Sequence, residues 1–384
     1  MQTTAVSMNG PKKSGNRRPA LPYVDCDLHH SYRENSDIYP YLSKVFVDRA
    51  KQFGLPGRGA QEAPYLSNGG FGGARSDLVD HDNPQYAGGV VDADATRVEY
   101  LDKYGAGIAI LTGAPMYSAS SVTDVDYASA GCRAFNEFTV EHWLTTDERF
   151  RYSMAICTQD PAGAVEEIDR IGDHPQIVSI LMPCGAPRPF GNRFYHPIYE
   201  ACERHGLAVQ LHFGSEGQGV NPPPTAAGWP SYYAESRVAR PPFYQVHLAS
   251  FIFEGVFEKF PALKVVVIEG SFGWVPAFRW RMDESWKALR YQTPWVRRLP
   301  SEYLVEHVRI ATQPCVNPDF PDALLKTIEW MEGDRTLVYA SDYPHWDWDT
   351  PEEVLIEAPD DLRARVFVEN AHETFNLGIP VPAV

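Results

Sequence analysis

The segment Val24–Tyr32 reads VDCDLHHSY. It begins as an apolar strand and closes on two acids and two histidines, Asp25, Asp27, His29 and His30. Packing of carbon would not select such a cluster, because buried charge needs an opposite charge or a metal. Side chains two apart on a strand share a face, so Asp27 and His29 point together and are expected to ligate a metal. Asp25 is expected to support the turn or the ligands from behind.

Working outward from this strand, seven further short apolar runs follow. They are GIAILTG ending at Gly113, RYSMAIC ending at Cys157, IVSILMP ending at Pro183, LAVQLHF ending at Phe213, KVVVIEG ending at Gly270, VRIATQP ending at Pro314 and TLVYASD ending at Asp342. Segments with helical spacing lie between them, among them PAGAVEEIDRIG and WVPAFRWRMDESWKAL. Asp160-Pro161 and Asn317-Pro318 read as helix starts and Gly206 as a helix stop. Eight strands alternating with helices predict an α/β fold of the (β/α)8 TIM-barrel type, whose functional residues sit at the C-terminal ends of the strands. Two connections exceed what a plain loop needs, about 31–91 after the first strand and about 214–242 after the fifth. Both are expected to rise over the catalytic face as lids, distorting the barrel.

The chain has 384 residues, 44% hydrophobic, with a formal net charge of -16. That charge argues against nucleic acid and anionic membranes as partners. No apolar run approaches the roughly 20 residues of a membrane span. The six cysteines are scattered without a C-x-x-C pair, which fits a reducing cytoplasm better than a disulfide framework. Residues 1–20 are basic and polar and predict a flexible arm. Residues 21–384 predict one barrel domain.

The barrel reading makes a second expectation. Strand one ends in Asp27 and His29, strand five in His212, strand six in Glu269 and strand eight in Asp342, with His345 just beyond. Remote in sequence, these residues would meet on one rim, where imidazole and carboxylate together suit Zn, Mn or Fe. His247, on an apolar helix, reads as a core histidine, and His196 as a residue capping or packing a helix start. Arg279 and Arg281 read as partners of local acids. Ser215 and Ser271 lie near strand ends but in no G-x-S-x-G elbow, and no dinucleotide fingerprint or P-loop is present.

In DCDLHH, the LHFG at His212, GVFEKFPALKVVVIEGSFGWVP, ASDYPHWD and VENAHETFNL, the chain resembles the amidohydrolase-related family of the amidohydrolase superfamily. That branch includes aminocarboxymuconate semialdehyde decarboxylase and the resorcylate-type decarboxylases. The resemblance implies a distorted TIM barrel with one or two divalent metals, held by Asp27, His29, His212 and Asp342. Two departures stand out. Glu269 occupies a position where those decarboxylases carry histidine, and strand four ends in MPCG, without the lysine that bridges two metals in many dinuclear hydrolases.

An oxygen-rich ligand set shifts preference from Zn toward Mn or Fe. A narrower resemblance, to the hydroxylase subunits of the 2-aminoisobutyrate monooxygenase system, points the same way. It implies hydroxylation of a small amino or carboxylic acid, an external electron-transfer partner, and a homo- or hetero-oligomer. In that branch a histidine stands two places after the acid of SYYAES, where this chain has Arg237, which implies a single metal and the role of a supporting subunit. The alternatives are a metal-dependent hydrolase or non-oxidative decarboxylase, with Glu269 or His345 as general acid/base, and a non-catalytic Zn-binding partner subunit.

Overall fold

Val265–Ile268 reads VVVI and is buried at every position. That is the signature of a parallel strand covered on both faces, where β-branched side chains pack without an exposed side to interrupt them. A computed structural model describes residues 22–56, 89–316, 318 and 320–377. The arm at 1–20, Asn317 and the stretch 57–88 of the first expected lid lie outside the described residues.

Eight parallel strands run in sequence order around the sheet. They are β1 Tyr23–His30, β2 Ala106–Gly113, β3 Phe150–Ala155, β4 Ile177–Pro183, β5 Ala208–His212, β6 Val265–Ile268, β7 Val308–Ala311 and β8 Leu337–Val338. Beyond the end of β8 the chain still meets β1. Cys26 N–H donates to the Tyr339 carbonyl at 3.0 Å, Asp342 N–H to the Asp27 carbonyl at 3.1 Å, and His29 N–H to the Tyr343 carbonyl at 2.9 Å. The result is a nearly closed barrel with helices between the strands, the (β/α)8 architecture read from the sequence.

The helices start and stop where local chemistry directs them. Asp160 caps Pro161–Ile171 by accepting from Gly163 N–H, and proline at the first helical position costs no hydrogen bond there. Gly206 closes His196–His205 in the left-handed conformation, which glycine adopts without a Cβ clash. The helix expected near Asn317-Pro318 begins at Pro321.

Inside the barrel, Val24, Cys26, Ile108, Val178, Ala208, Val266, Ile268, Ala311 and Val338 form an apolar plug continuous with Phe375 and Leu377. Above it Gln210 spans the lumen, donating to the Cys26 carbonyl at 2.9 Å and accepting from Ser179 Oγ at 2.8 Å.

The register of β1 against β2 sets what comes next. Asp25 pairs with Ala109 and Leu28 with Leu111, so β1 carries one extra residue. Such a bulge resets the alternation of faces. Asp25 and Asp27, two apart, therefore do not share surroundings, whereas Asp27 and His29 converge.

Two strand ends differ from expectation. β6 stops at Ile268 and β8 at Val338, so Glu269 and Asp342 lie past their strands rather than on them. Glu269 has φ 56°, Ser271 φ 51° and Asp342 φ 65°. Left-handed backbone in residues with a Cβ costs about 1–3 kcal/mol each and persists only where the surroundings impose it. Here it turns both carboxylates back over the barrel mouth.

Candidate metal centre

The barrel mouth brings all six expected residues together. Asp27 Oδ2 lies 3.5 Å from both His29 Nε2 and His212 Nε2. These three atoms are buried and without a hydrogen-bond partner. Two ligands about 2.1 Å from one ion at a near-tetrahedral angle stand about 3.4 Å apart. Asp342 Oδ1 comes within 2.8 Å of His29 Nε2, close but not aligned as a hydrogen bond, as befits two groups aimed at a shared point. Leaving such atoms unpaired in the interior is costly, so their convergence fits a cation. Two imidazole nitrogens with carboxylate oxygens suit Zn, Mn or Fe(II).

The neighbours orient these donors. His212 Nδ1 donates to the Phe213 carbonyl at 2.6 Å, which leaves Nε2 with its lone pair, the arrangement that prepares a histidine for a metal. Asp27 Oδ1 accepts the Thr112 hydroxyl at 2.5 Å. The Tyr117 hydroxyl lies 3.3 Å from His29 Nδ1, and its ring is 4.5 Å from that of His212.

A second group adjoins the first. Glu269, Asp342 and His345 share His29 with it, and their ligand atoms fall within 4.8 Å of one another. His345 Nδ1 is 2.6 Å from Asp342 Oδ1 and 3.7 Å from Glu269 Oε1. Gln313 Nε2 donates to Asp342 Oδ2 at 2.9 Å, and Arg240 Nη1 to Glu269 Oε2 at 3.1 Å.

Charge follows this geometry. Burial opposes ionisation of Asp27, but the His29 and His212 imidazoles outweigh it and hold the carboxyl well below its usual range. Burial and His345 work against charge on His29, yet Asp27 and Asp342 push it up to about 9. Burial raises Glu216, on the loop after β5, to about 7 although Gly214 N–H donates to it.

The other residues of the opening segment are placed elsewhere. Asp25 accepts from Tyr100 OH, Ser341 Oγ and Ser341 N–H at 2.6, 2.6 and 2.8 Å. His30 faces away, its Nε2 2.9 Å from Thr139 Oγ1 and its ring against Phe135, Trp143 and Tyr152. Burial lowers it to about 3. His247 bonds the Cys184 carbonyl at 2.9 Å and stacks on Phe190, a core histidine as read. Arg279 pairs with Glu332.

Sequence reasoning missed Arg240, Gln313, Thr112 and Tyr117. Gln313 and Thr112 did end apolar runs, a signal that was available. Arg240, in VARPPF at the head of a helix, carried none, because its role depends on a loop folding back over the barrel.

Fold and donors together define a class. Residues 24–377 match the amidohydrolase family model, and the chain belongs to that family. More particular relatives are decarboxylases. Gamma-resorcylate decarboxylase of Polaromonas sp. (strain JS666) is 25% identical over 258 residues, 63% of this chain and 71% of that one. The protein of the same name from Rhodococcus jostii (strain RHA1) is 22% identical over 272 residues, 66% and 78% of the two chains. Among solved structures, 5-carboxyvanillate decarboxylase from Novosphingobium aromaticivorans, complexed with manganese and 4-hydroxy-3-methoxy-5-nitrobenzoic acid, superposes with a TM-score of 0.65 at 17% identity, covering 93% of this chain and 96% of its own. 2,6-Dihydroxybenzoate decarboxylase from Rhizobium gives 0.61 at 18% identity, covering 93% and 99%. At these identities the structural likeness speaks for the fold. None of these relatives is an oxygenase. Among the described residues no helix is long and apolar enough to cross a membrane.

Proposed function

We propose that this chain is a metal-dependent, non-oxidative decarboxylase of a small carboxylic acid, with 21–384 acting as one catalytic unit. The observation that carries the proposal is the set of three buried, unpartnered donors, Asp27 Oδ2, His29 Nε2 and His212 Nε2, in a chain whose curated relatives are decarboxylases. Asp27, His29, His212 and Asp342 would hold the ion. A divalent ion held there, manganese by analogy with the solved relatives, would supply Lewis acidity to the substrate oxygens.

The chain's own residues would do the rest. His345, with Nδ1 between Asp342 and Glu269, is placed to carry a proton. Burial opposes its charge, and both carboxylates raise its pKa well above the ordinary value. As the bond to the carboxyl carbon breaks and CO2 leaves, the electron pair stays on the substrate carbon, which takes the proton from His345. Glu269, held by Arg240, keeps the imidazolium in place. The Tyr117 ring packs beside His212 and walls the centre on that side.

The test is anaerobic turnover. Manganese-loaded protein should consume a hydroxylated benzoate with release of one CO2 per acid and no need for oxygen. Consumption only in the presence of oxygen and an electron donor would favour the second reading, a monooxygenase, which rests on the oxygen-rich set that Glu269 and Asp342 create. Water addition to an amide or ester instead would make it a hydrolase, and a chain inert alone but required in a complex would make it a supporting subunit.

A further inference from the structure

The two groups that meet at His29 differ in how far their donors are already used. In the first, Asp27 Oδ2, His29 Nε2 and His212 Nε2 have no partner. In the second, His345 Nδ1 is engaged with Asp342 Oδ1, Gln313 Nε2 donates to Asp342 Oδ2, and Arg240 Nη1 donates to Glu269 Oε2. One group is built open and the other is internally satisfied.

Arg240 is what holds Glu269. The residue is 6% exposed, and its guanidinium lies 4.1 Å over the Phe213 ring, a face that attracts cations. Nη2 reaches the Tyr233 hydroxyl only at 3.5 Å, and Nε is buried without a partner. Three residues earlier, Arg237 is committed to Asp347, so Arg240 is the arginine of this loop that faces the centre. A guanidinium stays ionised at any pH a protein survives. It therefore places a permanent positive charge against Glu269, on the carboxylate that a second divalent ion would have to use.

We propose that Arg240 serves as the fixed second cation of this centre, so that the chain takes one divalent ion, at Asp27, His29, His212 and Asp342, and no second ion at Glu269 and His345. This rests on the metal-dependent reading above. The charges agree with it. Asp27, Asp342 and Glu269, taken as carboxylates, already face one divalent ion and the Arg240 guanidinium, beside the proton-carrying His345. A second divalent ion would add two positive charges with no further carboxylate in either group, and would approach a guanidinium that solvent does not screen. The carboxylate of Asp25 is turned to Tyr100 and Ser341 and does not enter the balance.

The experiment is a manganese titration of the full-length protein, read as free Mn(II) by electron paramagnetic resonance and as bound metal by elemental analysis. Wild-type protein is expected to bind one equivalent, Arg240→Lys one, and Arg240→Met two, with the spin-coupled signal of a metal pair. Adding Glu269→Gln to Arg240→Met should return the stoichiometry to one. Two equivalents in the wild type, or a folded Arg240→Met that still binds one, would overturn the proposal. If Arg240→Met does not fold, the wild-type and Arg240→Lys stoichiometries decide it. Wild-type protein that binds no manganese, zinc or iron would instead overturn the metal-dependent reading itself, so the two failures are distinguishable.

Discussion

Asp25 and Ser341 close the barrel. The Asp25 carboxylate accepts Ser341 N–H at 2.8 Å and the Ser341 hydroxyl at 2.6 Å, joining β1 to the segment after β8 where that strand has already ended. The same contact sets the position of Asp342, the next residue, whose left-handed backbone turns it toward His29. Asp25→Ala removes the acceptor of four buried donors, Tyr100 OH and Asp27 N–H among them. Hydrogen bonds to charged groups contribute about 1.5–3 kcal/mol, so a loss of about 3 kcal/mol in urea unfolding is expected. A loss below about 1 kcal/mol would mean the seam holds without it.

His212→Ala removes a donor whose ring is preset by the Phe213 carbonyl. Bound manganese should fall below a tenth of an equivalent after dialysis, while far-ultraviolet circular dichroism keeps the wild-type spectrum. The stabilisation that excess metal gives by binding the folded state should vanish from thermal melts. Metal content unchanged by the substitution would remove His212 from the centre.

His30→Phe tests the opposite claim. His30 stands next to His29 in sequence, yet it packs among Phe135, Trp143 and Tyr152. The variant should retain its full metal content, with a stability change of about 1–2 kcal/mol from the lost Thr139 bond and altered packing. Loss of metal would show that the two faces of β1 are not separated as described.

His205 gives a pH dependence remote from the centre. Its ring nitrogens lie 2.7 Å from Asp173 and 2.9 Å from Asp169. Burial disfavours its charge, but these carboxylates raise its pKa above the ordinary 6.5. The charged form is favoured by folding, so the contribution is fully present below about pH 6.5 and disappears as pH rises through the raised value. Both aspartates are largely exposed, and such pairs contribute about 0.2–1 kcal/mol. Unfolding free energies of the wild type and His205→Gln, compared between pH 5.5 and 8.5, should converge at the alkaline end. A difference that grows with pH would reverse the assignment.

The sequence by itself determined the eight-stranded barrel and much of its rim. Short β-branched runs such as VVVI read as strands buried on both faces, and their alternation with capped helices leaves few topologies. Asp27, His29 and His212 were legible because they end such runs, and a strand carries its side chains in a known direction. The tertiary structure alone decided the rest. The extra residue that separates Asp25 from Asp27 shows only in the pairing with β2. The turns that swing Glu269 and Asp342 over the mouth are local conformations those residues do not prefer, imposed by their surroundings. Arg240 pairs with Glu269 because a loop from β5 folds across the end of β6, and no local pattern records which distant charge a buried arginine will meet.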